Sequence, residues 1–415
     1  MLLHNQKTAS TVSPHQESNP DLPHEEVVIL GTSPALLIEG LMQARTGRKV
    51  LFIDDAPEPG GAWSTTEAFG IRDIEGACHL MVHYRGTYRV LSELCNIPME
   101  VCVPTPQILS SGRFIPFNAR IPVIRRSLSL ILRMSLVGLI RCAEALTLNR
   151  WRLPSTRDYR FSHATQNLLK RRLIPLTGSE HKRAIQYPVG GSPAMLRKLR
   201  SELSQLGARF LQGEVDGIEI GKDKLVQLDL KSTRPLRASQ LIVSESASLT
   251  RVRDAKGDRK FEAQTNIHTA LILRVSGLGA ESLSYIELPF DPLVERVADV
   301  TRFCKNPPDD GSRILVCENP GTGASGDPNP SPEKIINYLK QERIIPHSVV
   351  IEEHHVHSLK LRSGNPSLTQ YLQSLPGESI QVVPSRGDLT YSIYRNRRRW
   401  ENLSRSPNSA TQSGS

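Results

Sequence analysis

Residues 26–54 read EVVILGTSPALLIEGLMQARTGRKVLFID, and this stretch decides the fold. After Glu26, Val27 to Leu30 is an unbroken aliphatic run, and the segment has the composition of a parallel strand buried on both faces. Gly31 stops it. Ser33 to Arg45 suits a helix, because Pro34 fits the first turn and Leu37, Leu41 and Ala44 recur on one face, and Gly47 ends it. KVLFID, residues 49–54, is a second strand that completes a right-handed βαβ unit and closes on an acid, Asp54.

The spacing places Asp54 where a dinucleotide-binding unit puts the carboxylate that accepts hydrogen bonds from the adenosine ribose; Asp55 is the weaker neighbour. The glycine fingerprint G-x-G-x-x-G reads Gly31-Thr32-Ser33-Pro34-Ala35-Leu36, with only its first glycine kept. Ser33 still leaves a short side chain beside a pyrophosphate, while Leu36 predicts looser packing of the helix on the strand. The unit is read either as a dinucleotide site or as an empty doubly wound βαβ. A formally intact fingerprint at Gly321, Gly323 and Gly326 follows the apolar run Ile314 to Cys317, but DPNPSPE comes next. Three prolines there prevent the helix start that would hold phosphate, so it reads as a surface loop.

Outward from this unit, the chain has 415 residues, 38% hydrophobic and 23% charged, enough for two or three domain-sized units. With 29 prolines and 28 glycines it is neither collagen-like nor low-complexity. The net charge of +10 favours anionic partners. Six cysteines without a C-x-x-C pair point to neither a disulfide scaffold nor a zinc cluster, and a reducing cytoplasm fits them. Residues 1–24 and 404–415 have the polar composition of disordered tails, and the former lacks a secretory pattern.

Six residues after Asp54 comes Gly60-Gly61-Ala62-Trp63. A second block, residues 187–220, reads YPVGGSPAMLRKLRSELSQLGARFLQGEVDGIEI, followed by LIVSES at 241–246; a third is SRGDLTYSIYRNRRRW at 385–400. In this order the blocks resemble the FAD-dependent group that contains amine oxidases, protoporphyrinogen oxidase, phytoene desaturases and UDP-galactopyranose mutase. The resemblance implies an α/β fold with a discontinuous Rossmann-like FAD-binding domain (25–95, 185–265 and 375–403) and an inserted α+β substrate domain (96–184 and 266–374). It implies non-covalent FAD near Gly31, Ser33, Pro34, Ala35 and Asp54. Gly60 and Gly61 would let the chain pass close to the flavin diphosphate and ribityl, with Ala62 and Trp63 beside them. The backbone of Val215 would pair with adenine, after a helix 192–206 capped by Gly207. Arg386, with Gly387, would reach the flavin phosphate or ring from ahead of a helix starting near Tyr391.

The resemblance further implies oxidation of a C–H or C–N bond of a small or lipid-like substrate by hydride transfer to flavin. The alternatives are a mutase-like isomerase acting on an anionic sugar nucleotide and a binding protein that keeps the fold without flavin. His79, in FGIRDIEGACHLM (69–81), falls where the group brings a turn beneath the flavin ring; a neutral imidazole there could exchange a proton, or could be structural. Glu75 is a candidate to orient it. In EEHHVHSLKL, strand alternation puts His355 and His357 on one face and His354 on the other; metal ligation is the alternative to a plain substrate sheet.

Residues 124–172 hold eleven basic residues against Glu144 and Asp158, a net of +9. Leu128 to Leu148 within them reads as an amphipathic helix, too interrupted by charge to span a bilayer. It packs in the substrate domain or lies on an anionic membrane surface, drawing in a lipid-borne substrate. Aromatic residues are too sparse among these arginines to favour nucleic acid.

Overall fold

A computed structural model describes residues 22–79, 88–102, 107–110, 113–116 and, within 185–404, all but 232, 246, 248, 263, 280–284, 288–292, 320–329, 364, 376–378 and 385–388. The βαβ unit is present: β1 (His24–Leu30), α1 (Pro34–Arg45) and β2 (Val50–Asp54), with β1 and β2 parallel and Val27 opposite Val50. They sit in a sheet whose parallel part runs Arg209–Gln212, β2, β1, Leu236–Ser244, Ile380–Val383. The first half of Leu236–Ser244 pairs instead with Val226–Leu230, and the sheet continues through Val215–Ile220, Arg251–Asp254 and Gly257–Lys260.

The continuous aliphatic run in β1 is explained by burial on both sides. Val27 and Ile29 face one core with α1, α2 (Gly191–Gln205) and the C-terminal helix, whereas Val28 faces another. Of the remaining helices, α3 (Pro332–Gln341) packs on a second sheet and α4 (Pro366–Ser374) on the first, so Leu368, Tyr371 and Leu372 join the first sheet's second core although sequence reading put them in the substrate segment. The last helix, α5 (Leu389–Ser404), covers α1.

The whole of α1 from Pro34 to Ala44 is buried, not one face of it. Its polar side is closed by α5: the fully buried Glu39 accepts from Trp400 Nε1 at 2.6 Å, Gln43 Nε2 at 2.9 Å, Gln381 Nε2 at 3.2 Å and the Arg399 guanidinium. Buried carboxylates persist when their lone pairs are filled in this way. Nor does α1 pack loosely on the sheet. A Cβ on Gly40 would lie 2.2 Å from Phe52 Cζ and 3.0 Å from Ile29 Cδ1, so the close helix-to-strand approach occurs one turn beyond Leu36, which packs back toward Gly31.

The second sheet runs Val350–Ser363, Gln264–Ser276, Arg313–Glu318, Arg296–Asp299, Tyr285–Glu287, Gln107–Ser110, Arg113–Pro116. Its long pairing sets Ala270 between His357 and Glu318, and Glu318 opposite Arg296. Directly opposed residues share a face, so these four form one row across four strands, with His268 and His355 two positions along on the same face. A hairpin, Thr65–Ala68 with Ile71–Glu75, packs against that face. Among the described residues, no helix is long and apolar enough to cross a membrane. The basic stretch 124–172, the glycines 321, 323 and 326, and Arg386 with Gly387 lie outside the described residues.

Candidate functional site

The carboxyl ends of β1 and β2 meet where Gly31 N donates to Ile53 O at 2.8 Å, and Gly31 turns with φ +99°. In open α/β sheets this edge is where ligands bind. The Asp54 carboxylate accepts from Thr32 Oγ1 at 2.6 Å and from Ala56 N at 3.1 Å, and Thr32 Oγ1 accepts in turn from Gly60 N at 3.1 Å. The neighbouring Asp55 side chain also bonds it, so of a carboxylate's roughly four acceptor positions only part stays open. Burial raises the Asp54 carboxyl above its ordinary value, against the lowering pull of the Thr32 bond.

Ser33 precedes α1 in extended conformation, and its carbonyl receives Leu37 N at 2.9 Å. Its hydroxyl makes no cap bond and is buried without a partner. Gly60 (φ +135°) and Gly61 (φ +58°) follow, and a Cβ on Gly61 would come 3.7 Å from Ser33. The start of α1 with Pro34 and Ala35, the Asp54 carboxylate and the glycine pair therefore converge. Val215 follows two residues after Gly213, whose N–H donates to Asp54 O at 2.8 Å; its side chain is in the core and it lies opposite Leu230 in the sheet. An orphaned hydroxyl at a helix N-terminus, a glycine pair with left-handed backbone and a partly filled carboxylate fit an FAD diphosphate and ribose.

Ala62 and Trp63 form a short 3₁₀ turn after the glycines. The Trp63 ring stacks on His79 at 3.8 Å between centroids, 6° from parallel. Burial pushes the His79 imidazole down to about 3, so the ring is neutral at pH 7, and its Nε2 is buried without a partner. Glu75 does not orient it. That buried carboxylate accepts from Tyr187 OH at 2.9 Å and from Ser192 N at 2.8 Å, at the start of α2. His355 and His357 do share a face, and burial lowers His357 as well. Among the described residues, no group of His, Cys, Asp or Glu is placed to hold a metal ion.

The arrangement resembles solved structures closely enough to fix the fold. UDP-galactopyranose mutase in its reduced form superposes with a TM-score of 0.61 at 12% identity, covering 91% of this chain and 95% of that one. Cyclohexylamine oxidase from Brevibacterium oxydans gives 0.59 at 12% identity, covering 92% and 99%. A putrescine oxidase double mutant gives 0.54 at 13%, covering 92% and 99%. At these identities the likeness shows a shared fold. No protein-family model and no curated protein matches the sequence.

Sequence reading missed Thr32, which bridges Asp54 to Gly60, because it occupies a variable position of the fingerprint. It also missed His268, Arg296 and Glu318, which meet His79 only through strand register. Gly40 did carry a signal: a glycine inside a helix calls for a packing reason.

Proposed function

We propose that this chain is an FAD-dependent oxidoreductase that binds flavin non-covalently and oxidises a C–H or C–N bond of a small or lipid-like substrate. The observation that carries the reading is the convergence of the orphaned Ser33 hydroxyl, Gly60–Gly61 and Asp54 at the carboxyl edge of the parallel sheet. Ser33, Pro34 and Ala35 at the start of α1 would hold the diphosphate, Asp54 the ribose, the Val215 backbone the adenine, and Arg386 with Gly387 the flavin end. Bound flavin supplies hydride acceptance. His79, neutral and with a free ring nitrogen, would take or return the substrate's proton.

In this reading the first sheet, from residues 25–95, 185–265 and 375–403, is the flavin domain, and the segments 96–184 and 266–374 supply the substrate domain. The second sheet is drawn from the latter segments, which supports the division. Residues 124–172 would bring the site to an anionic membrane surface or gather an anionic substrate. The test is the visible spectrum of the purified protein, followed by anaerobic bleaching with amines and other reduced substrates. Yellow protein bleached by a substrate is the expected result. Colourless protein, with no flavin released on denaturation, overturns the reading in favour of a binding protein; redox-neutral turnover of an anionic sugar nucleotide replaces it with the isomerase.

A further inference from the structure

The turn Gly76-Ala77-Cys78-His79 lies across the row His357, Ala270, Glu318 and Arg296 of the second sheet. Gly76 permits the approach, since a Cβ there would stand 2.7 Å from His357 Nε2. Ala270, with the smallest side chain of the row, leaves the space between His357 and Glu318. At the far end of the turn both backbone polar groups of one residue, on the peptide units either side of it, are taken by an ion pair. Cys78 N donates to Glu318 Oε1 at 3.0 Å, and Arg296 Nη1 donates to Cys78 O at 3.1 Å, while the two side chains bind each other through Arg296 Nε and Glu318 Oε2. The Cys78 thiol donates to Val316 O at 3.1 Å.

A surface turn needs no such support. Glu318 is buried, and taking a carboxylate out of water is costly even when it is paired; an apolar pair of equal volume would stabilise the fold as well or better. One use of such a pair is to fix a local conformation. The residue next to Cys78 is His79, held flat on Trp63 with one ring nitrogen empty.

We infer that Arg296 and Glu318 are positioning residues, which clamp the Cys78 peptide from the second sheet and thereby fix the orientation of the His79 ring beside the Gly60–Gly61 turn. This rests on the proposed flavin site for its purpose but not for its geometry. The groups that face His79 are Glu318, Arg296 and His268 from the second sheet and the Ala62 backbone from the glycine turn. The Ala62 bond raises basicity, which marks a ring N–H donating to its carbonyl and leaves Nε2 as the bare lone pair.

The experiment uses full-length protein labelled with 15N histidine, and follows the His79 ring by NMR through a pH titration. The variant is the neutral double replacement Arg296→Met with Glu318→Gln, which keeps volume and removes both charges. Wild type is expected to show one tautomer and no protonation of His79 down to about pH 4, given its value of about 3. The double variant is expected to show averaged tautomers; its titration is not the diagnostic, because Glu318 raises the ring more than Arg296 lowers it and losing both charges shifts it down whether or not the ring is clamped. A folded double variant whose His79 keeps the single wild-type tautomer overturns the clamp. If the double variant does not fold, Arg296→Lys carries the same measurement, because it keeps the charge beside Glu318 but loses the guanidinium fork that spans Glu318 and Cys78 O. An unchanged His79 in that variant likewise overturns the inference. The readout needs no flavin, so colourless protein with a clamped His79 would refute the oxidoreductase reading and leave the clamp standing.

Discussion

The two halves of the candidate site are built in opposite ways. The dinucleotide end is local: Gly31, Thr32, Ser33, Asp54, Gly60 and Gly61 lie within thirty-odd residues, on one βαβ unit and the loop after it. The His79 end is assembled from distant chain, with Cys78 bound by Arg296, 218 positions on, and by Glu318, 240 positions on. The local half leaves a buried hydroxyl open, while the distant half closes its polar groups on itself apart from ring nitrogens of His79, His268 and His357. A half that is left open is shaped for something that arrives, and a half that is closed is shaped to hold one conformation.

The sharpest way to break this contrast is Arg296→Met. It leaves Glu318 buried with only the His268 ring and Cys78 N facing it, and removing the main partner of a buried pair costs about 3–5 kcal/mol. Urea unfolding should show a loss of that order, largely restored when Glu318→Gln is added; a loss below about 1 kcal/mol would mean the pair is solvated. The same half sets the acid response. Burial alone would raise the Glu318 carboxyl, but the Arg296 guanidinium and the His268 ring outweigh it and hold the group at about 2, against an ordinary 4.5. Its contribution, on the order of 3 kcal/mol, is complete above pH 4.5 and is lost as pH falls through 2. His79 is depressed from 6.5 to about 3, so its contribution is present above pH 6.5 and declines below it. Stability should therefore fall from pH 6.5 downward and steepen below 4.5, and the steep part should vanish in the double variant.

Asp54→Ala probes the open half. Losing a charged acceptor for the ribose costs about 1.5–3 kcal/mol, or roughly ten- to a hundredfold in flavin affinity, read by equilibrium dialysis or fluorescence. Unchanged affinity would remove Asp54 from the site. The prediction follows from chain spacing alone, which shows how legible this half was: the strand, turn, helix and closing acid all follow from residues 26–54, and only the bridging Thr32 was hidden. The other half was illegible for a physical reason. Strand register decides which residues face each other, and nothing near Glu318 in sequence announces that Cys78 will lie over it. Where the sequence did mislead, at Leu36, the missing glycine implied loose packing, yet the close contact had moved along the helix to Gly40.

Gly40→Ala tests that displacement. A Cβ 2.2 Å from Phe52 Cζ cannot be relieved easily, because the Phe52 ring is stacked on Phe210 with centroids 4.8 Å apart. Overpacking of this kind costs about 1–3 kcal/mol, and alanine returns about 1 kcal/mol of helix propensity. The net loss should be about 1 kcal/mol in denaturant unfolding, with flavin content unaltered. A gain in stability would mean that α1 slides outward freely and that the helix packs as loosely as the fingerprint implied.

The smallest effect on stability is the most discriminating for the open half. Ser33 Oγ is buried, has no partner and caps nothing, so in the flavin-free protein Ser33→Ala removes a desolvated hydroxyl that gives nothing back. The flavin-free variant should unfold within about 0.5 kcal/mol of wild type, or slightly above it. If the hydroxyl meets a diphosphate at the α1 N-terminus, the loaded protein loses a hydrogen bond of about 1 kcal/mol, and affinity falls roughly fivefold. A Ser33 that mattered only to the fold would show the reverse, a less stable flavin-free protein with flavin affinity unchanged. The split between the two states separates a residue waiting for a ligand from one that is merely packed, and only the first belongs to an open half.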